Sequence, residues 1–529
     1  MTNTGRDLIL KITRPQYVPY PEIFISSLAW SLAKESVTGW SKPEEAGGKK
    51  IGLIYEISTT AREPAHFTYV ATRPDSLDVS KWLENLSSAD IRFEQFKEDG
   101  ARSIADALKG VTIEKSPRQA ATPLTPFIAL LQNSAGVYAK ASPPDISDTI
   151  EQIFALGNTD LNSHAERELE PRDSATAMWL ISMNTRLEND DLLKQLDRAV
   201  ANSIKSHPLN SSKIVDIDGV FPDHQDAAKL LEYRQSISAK ISTVDLGSDT
   251  PFAWFHDAWT KITDPKWVLV LPARRWVDWA TTVLRVGFGF SYIWEANWCI
   301  AIASLITDPQ TEPNNEERAL YHSRSNDENP AQVDLEYLKK SPRLLSASEM
   351  RWKDSESAVT LRDVAPALRV TLSRGLKVRQ ILENAIPVGT DKSIQETLFD
   401  LYSDTKVKEA LREALKEKYQ EQAKSLWEAV KYALLTRNQI GESADFYGLL
   451  KSVSPKYTVI EPATEWVAAI SSIAIDMPGG QGSLGTVLDD LQRLGLRPSV
   501  SELTRYLESA GLAQSAADAD TAVSILSAY

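Results

Sequence analysis

Cysteine is nearly absent: the 529-residue chain holds one, Cys299. A single thiol excludes an intrachain disulfide and a cysteine-rich zinc site, and the composition fits a reducing cytoplasm. Histidine is also sparse, with six residues. No His-Glu-x-x-His, Gly-x-Ser-x-Gly or Cys/His pairing occurs. Positive charge is in deficit, with 58 Lys and Arg against 72 Asp and Glu, a net of −14. That balance argues against broad, sequence-independent nucleic-acid binding, which needs a cationic surface to release counterions. The opening MTNTGRDLILKITRPQ has no signal-peptide character, because its apolar run Leu8–Ile12 is short and broken by Lys11.

What remains is 42% apolar and 25% charged. This is the profile of a folded globular protein too long for one ordinary core. The expected fold class is mainly α and multidomain. We divide the chain into an α/β domain (1–120), a helical core region (121–306), a polar connection (307–348), a helical region with one long helix (349–458) and a C-terminal helical domain (459–529).

In 1–120, DLILKIT, KIGLIYEIS, AHFTYVAT, IRFEQF and VTIEK read as short strands, with PEIFISSLAWSLAKE, DVSKWLENLS and GARSIADALKG as helices between them. EEAGGKK is a polar turn before a strand; a phosphate loop needs its helix after the glycines. From Pro123 onward the spacing becomes helical, as in DISDTIEQIFALG, DSATAMWLISMNTRL and NDDLLKQLDRAVANSIKS. Thr405–Leu435 predicts one long helix, with Val407, Leu411, Leu415, Tyr419, Ala423, Leu426, Val430 and Leu434 along one stripe. In the C-terminal segment Ser499 and Glu502 form a capping box and Gly511 a stop. Two short helices joined by GLRPS there have the dimensions of a helix-turn-helix unit. Nine acidic residues against three Arg give the segment a net of −6, which argues for a protein partner rather than DNA. AADADTAVSILS reads as a further helix.

Seven of the fourteen Trp fall between Trp254 and Trp298. The apolar window 286–306 raises the question of a membrane span, but Glu295 and Asn297 stand in its middle. A helix apolar all round belongs in the centre of a large helical protein. Gly287 and Gly289 predict a break between two helices. Arg274, Arg275, Asp278, Arg285 and Glu295 form a candidate cluster. Arg275–Asp278 or Asp278–Arg285 are candidate pairs, and if Arg285 and Glu295 both enter the core they need each other. Alternatively, Arg274, Arg275 and Arg285 converge on an anionic ligand.

KIVDIDGVFPD, Lys213–Asp223, carries an Asp-x-Asp-Gly-Val run after a strand candidate. It resembles the first motif of the haloacid-dehalogenase-like phosphohydrolases. The resemblance implies Asp216 as nucleophile, Asp218 as acid/base and Mg²⁺ at the strand end. It covers about a dozen residues, and the later motifs of that family have no counterpart in order. His164 with Glu168, and the PDHQD run, lack an evident third metal ligand, so no metal or other cofactor is expected apart from this alternative. Against the acidic background, Arg362, Arg369, Arg374, Lys377 and Arg379 stand opposite Asp363 alone in RDVAPALRVTLSRGLKVRQ, divided by Pro366 and Gly375. This run either contacts nucleic acid or an acidic partner, or neutralises acidic neighbours within the fold. The leading expectation is a non-catalytic accessory or adaptor subunit of a cytoplasmic bacterial multiprotein complex, in DNA processing or anti-phage defence. A phosphate-ester hydrolase and a nucleic-acid-binding protein are the alternatives.

Overall fold

The computed structural model describes residues 4–10, 12–14, 24–25, 28, 45–46, 49–50, 146–158, 175–191, 193–194, 246–307, 364–418, 421–437, 445–454, 457–513 and 524–529. Most of these are helical. The helices are α1 (Ile146–Gly157), α2 (Ala175–Asn189), α3 (Pro251–Ile262), α4 (Pro265–Val268), α5 (Ala273–Thr307) and α6 (Ala365–Ala385). They continue with α7 (Ile394–Ser403), α8 (Thr405–Lys416), α9 (Lys424–Leu434), α10 (Thr464–Ile475), α11 (Leu484–Arg493) and α12 (Val500–Ser509). The strands β1 (Glu45–Ala46), β2 (Lys49–Lys50), β3 (Leu450–Ser454), β4 (Tyr457–Ile460), β5 (Gln481–Ser483) and β6 (Ser524–Leu526) pair antiparallel as β1–β2, β3–β4 and β5–β6.

The axis of the fold is α5. Its 35 residues span about 52 Å at 1.5 Å per residue. α3, α6, α8 and α9 pack along it, which is why it is apolar on every side. Among the described residues no helix is long and apolar enough to cross a membrane. The expected break at Gly287 and Gly289 does not occur. Both glycines lie within the continuous helix and serve close approach instead. A Cβ on Gly287 would lie 2.5 Å from the Phe255 ring, and one on Gly289 2.7 Å from Leu434.

All seven clustered Trp are buried. A buried Trp removes some 150–250 Å² from water, worth about 4–6 kcal/mol gross at 25 cal/mol/Å². Five of their indole N–H groups also join separate stretches of chain. Trp259 donates to Ala175 O (3.0 Å), Trp276 to Ile262 O (2.8 Å) and Trp298 to Leu8 O (2.8 Å). Trp254 donates to Asp490 (2.7 Å) and Trp267 to Asp476 (3.1 Å). One apolar cluster runs without interruption from Leu8 through α1, α3, α5, α6 and α9 to α10–α12 and Ile525.

Local chemistry sets the helix ends. Thr250 Oγ1 accepts from Ala253 N at 3.2 Å and Pro251 opens α3. Ser499 and Glu502 form the expected capping box of α12. At its other end Gly511 (φ 73°) completes a Schellman closure, in which Leu512 N donates to Leu507 O and Gly511 N to Glu508 O. Gly495 (φ 76°) ends α11 in the same way.

Three further expectations are corrected. The long helix of Thr405–Leu435 is interrupted after Lys416. Glu417 leaves helical geometry (φ −57°, ψ 140°), its carbonyl accepting from Arg374 Nε at 2.9 Å and its carboxylate pairing with Lys377. Two bonds to α6 thus hold this residue out of the helix. A 3₁₀ turn, Glu421–Ala423, then leads into α9. Within AADADTAVSILS, residues Ser524–Leu526 form strand β6 on β5 rather than a helix. Pro366 and Gly375 do not divide the basic segment: Pro366 sits in the first turn of α6, and Gly375 lies mid-helix against Ala296.

The expected first strand, DLILKIT, is replaced by a 3₁₀ turn (Gly5–Leu8) followed by irregular chain. Its backbone groups are satisfied by side chains of the helical core instead of by a neighbouring strand, as described below. The other strands and helices expected in 1–120, apart from helical positions 24, 25 and 28 and the β1–β2 pair, lie outside the described residues. So do the polar connection and most of NDDLLKQLDRAVANSIKS.

Candidate functional site

Residues 4–10 and 12–14 are seated in the core by their backbone. Leu8, Ile9, Leu10 and Ile12 are buried. Ile12 N donates to Glu295 Oε1 (3.3 Å), and Ile12 O accepts from Arg379 Nη1 (2.8 Å). Thr13 N donates to Gln152 (2.9 Å), and Thr13 O accepts from Thr149 (3.0 Å) and from the Tyr292 hydroxyl. Helices α1, α5 and α6 therefore hold this segment through groups that every residue possesses. They bring its end, Arg14, beside Glu295.

A cleft opens there, lined by Arg14, Tyr292, Glu295, Cys299, Arg379 and the apolar Ala296, Leu372, Leu376 and Leu426. It has about 280 Å³ of empty space when its solvent mouth is included. Glu295 pairs with Arg379 at 2.9 Å, and Arg379 also holds Glu383 at 2.8 Å. Burial raises the Glu295 carboxyl above the ordinary carboxylate range, against the pull of Arg379 and the Ile12 N–H. Burial works against the Arg379 charge, but Glu295 and Glu383 more than offset it and raise its pKa. Burial likewise pushes up the Cys299 thiol and the Tyr292 hydroxyl. A neutral thiol is a poor nucleophile, so Cys299 acts as a small apolar wall.

The five candidate residues of α5 do not converge. Arg274 pairs with Asp278 at 3.0 Å, one helical turn away. Arg275 reaches Glu465 (2.8 Å) and the Tyr447 hydroxyl (2.5 Å). Arg285 is buried and donates to Ala433 O (2.8 Å), Leu435 O (2.8 Å) and Asp445 (3.0 Å). Neither expected pairing of Asp278, with Arg275 or with Arg285, is the one formed. Arg285 and Glu295 both enter the core, yet each has a different partner. Ten residues apart on one helix, they are about 15 Å apart along the axis and about 80° apart around it, too far to meet.

The basic segment also turns inward. Arg374 and Lys377 hold Glu417, Arg379 holds Glu295 and Glu383, and Arg369 lies over the Trp427 ring at 5.2 Å. These four cations bind carboxylate, carbonyl and aromatic groups within the fold; Arg362 lies outside the described residues. Asp216, Asp218, His164, Glu168 and the PDHQD run are outside them as well, and so is the whole phosphohydrolase-like motif.

Sequence reasoning did not find Arg14, Asp445 or Asp490. Asp490 is part-buried, accepts from Trp254 Nε1, and has its carboxyl pushed up by desolvation. Arg493, three residues on, pairs with Asp257 at 2.6 Å and donates to Ser248 O at 3.1 Å. A sequence signal existed only for Asp490 with Arg493, an Asp and an Arg at i, i+3 on a helix of otherwise amphipathic spacing, 3.5 Å apart. No family model, no curated protein and no solved structure matches the chain.

Proposed function

We propose that the protein is a non-catalytic accessory or adaptor subunit, and that its C-terminal segment presents α12 to a basic protein surface. The observation that carries this reading is the mounting of α11 and α12. α10, β5, α11, α12 and β6 follow one another as helix, strand, helix, helix, strand, with Ile525 of β6 between β5 and Ala513. α11 and α12, joined by a short connection, both pack on α10, and two short helices so joined have the dimensions of a helix-turn-helix unit. α11 is fixed to α3 by Asp490–Trp254 and Arg493–Asp257, and α12 is held by its packing on α10. The outward face of α12 bears Val500 (57% exposed), Ser501, Thr504, Arg505 and Glu508. One exposed aliphatic side chain among polar and mixed-charge ones suits a protein contact. The segment's net charge of −6 repels phosphate backbones and attracts a basic partner.

The test is affinity purification of the tagged full chain from its native cell, beside the Val500→Asp/Thr504→Arg double variant. The expected result is a stoichiometric partner, cross-linked to α12, retained by the wild type, released by moderate salt and lost from the variant. Equal retention by the variant, cross-links elsewhere only, or recovery of nucleic acid in place of protein would overturn the reading.

A further inference from the structure

Residues 4–10 and 12–14 meet the helical core as a bound peptide meets a receptor. They belong to no strand and to no long helix; the 3₁₀ turn Gly5–Leu8 is closed locally, with Thr4 N donating to Asp7 Oδ2 at 2.7 Å. The main chain carries most of the hold. Gly5 N donates to Lys392 O just ahead of α7 (2.7 Å), and Leu8 O accepts from Trp298 of α5 (2.8 Å). Ile12 and Thr13 are gripped by α1, α5 and α6 through the bonds given above. Arg6 Nη1 adds bonds to Glu383 O (3.2 Å) and Ile386 O (2.5 Å) at the C-terminal end of α6, where a cation is favoured. Of these partners Thr149 is the closest in sequence, 136 residues on. The receptor side also holds itself together. Glu295 pairs with Arg379 and Arg379 with Glu383, Trp298 stacks on Trp294 at 5.3 Å, and α5 packs directly on α6. Groups fixed before a ligand arrives lose little freedom when it binds.

We propose that the groove between α1, α5, α6 and α7 is a peptide-binding site, filled in cis by residues 4–10 and 12–14, and that its occupant in trans is the same segment of a second copy of this chain. The groove selects by shape. Leu8, Ile9, Leu10 and Ile12 are buried in it, and a Cβ on Gly5 would fall within the side chain of Thr397. The ligand is therefore a glycine followed, at the third, fourth, fifth and seventh positions after it, by aliphatic residues. None of the contacts depends on segment and helices belonging to one molecule, which is the condition for exchange of an element between copies. The segment is also made long before its own receptor, Ile12 283 residues ahead of Glu295, so it meets other copies first. In a finished chain the tether gives the cis segment a high effective concentration, so a second copy's segment enters only where the first copy's own segment has been withdrawn.

The experiment withdraws the cis segment within the full chain and offers it back as a fluorescein-labelled peptide, MTNTGRDLILKITRPQ. Gly5→Val drives a side chain into Thr397, and Ile12→Asp sets a carboxylate beside Glu295. The Gly5→Val/Ile12→Asp chain, the milder Gly5→Val chain and the wild type are titrated by fluorescence anisotropy, with circular dichroism and Trp fluorescence recording the fold. We expect the variants to keep the folded spectra and to bind the peptide saturably at one site. The wild type, its groove already filled, is expected to bind at least tenfold more weakly, and a peptide carrying Gly5→Val is expected to lose at least tenfold in affinity for the variants. Loss of the folded spectra in both variants would make the segment an integral part of the core and overturn the proposal. So would a folded variant that does not take up the peptide, uptake by the wild type as tight as by the variants, or undiminished binding of the Gly5→Val peptide.

Discussion

The contact between α5 and α6 is tight enough to reverse the usual effect of a glycine-to-alanine change. In a helix interior alanine is better than glycine by about 1 kcal/mol, so Gly375→Ala in α6 ought to stabilise. At this position the new Cβ would lie 2.4 Å from Ala296 Cα, 2.5 Å from Ala296 Cβ and 2.9 Å from Ala296 O. Carbon atoms rest at about 3.5–4.0 Å, so the helices must part by roughly 1.3 Å. The obstruction is backbone and cannot rotate aside. A gap of that size forfeits half or more of the dispersion energy of the contacts that open, and overpacking of a core commonly costs about 1–3 kcal/mol. Glu295 neighbours Ala296, and Arg379 lies one turn beyond Gly375, so their 2.9 Å pair lengthens too. The gain and the losses leave Gly375→Ala about 2 kcal/mol less stable than wild type. Urea unfolding followed by Trp fluorescence reads this as a lower midpoint. Gly485→Ala is the control, since a Cβ there meets only Ser483 Oγ at 3.5 Å; its midpoint is expected to be equal or slightly higher. A Gly375→Ala midpoint at or above wild type would refute the close α5–α6 crossing.

Three other outcomes follow from the ion pairs. Arg285→Ala leaves Asp445 without its buried partner and two carbonyls without a donor; it is expected to cost about 3–5 kcal/mol, measured by the same unfolding titration, and a cost below 1 kcal/mol would contradict the assigned bonds. The folded-state pKa of Asp490 is raised by burial, so its favourable contribution is complete below the unfolded carboxylate pKa and is lost as pH rises through the folded value. The stability of Asp490→Asn relative to wild type should accordingly grow from pH 4 to pH 7, and a difference that shrinks over that window would refute the direction. Lys377→Glu should destabilise by about 1 kcal/mol, as the pair is part-exposed, and Lys377→Glu/Glu417→Lys should recover most of the loss; failure of the exchange to restore the midpoint would remove this pair from the account of the broken α8–α9 helix.

Features that depend on near neighbours were legible in the sequence. The Ser499–Glu502 box, the stop at Gly511, the helices at 146–157 and 175–189 and the buried stripe of Ala423, Leu426, Val430 and Leu434 all rest on spacings of four residues or fewer. The Trp-rich stretch was recognisable as core for the same reason. What escaped was set by residues far away in the chain. Glu295 was visible as a buried carboxylate in need of a cation, but its partner is 84 residues on. Arg285 needed Asp445, 160 residues on. Glycines in a helix have one sequence signature and two meanings, a break or a close approach; Phe255 and Leu434 decide it for Gly287 and Gly289. The interruption at Glu417 has no local cause either, because the residues around it are good helix formers and the bonds that hold it come from Arg374 and Lys377.

The seating of residues 4–14 also orders the protein's biosynthesis. Ile12 leaves the ribosome 283 residues ahead of Glu295 and 367 ahead of Arg379. At about 5–20 residues per second, that is on the order of half a minute during which its receptors do not exist. Throughout that time Leu8, Ile9, Leu10 and Ile12 form an unburied apolar patch on the nascent chain, open to chaperones and to other nascent copies. Closure of this contact therefore waits until α6 has emerged.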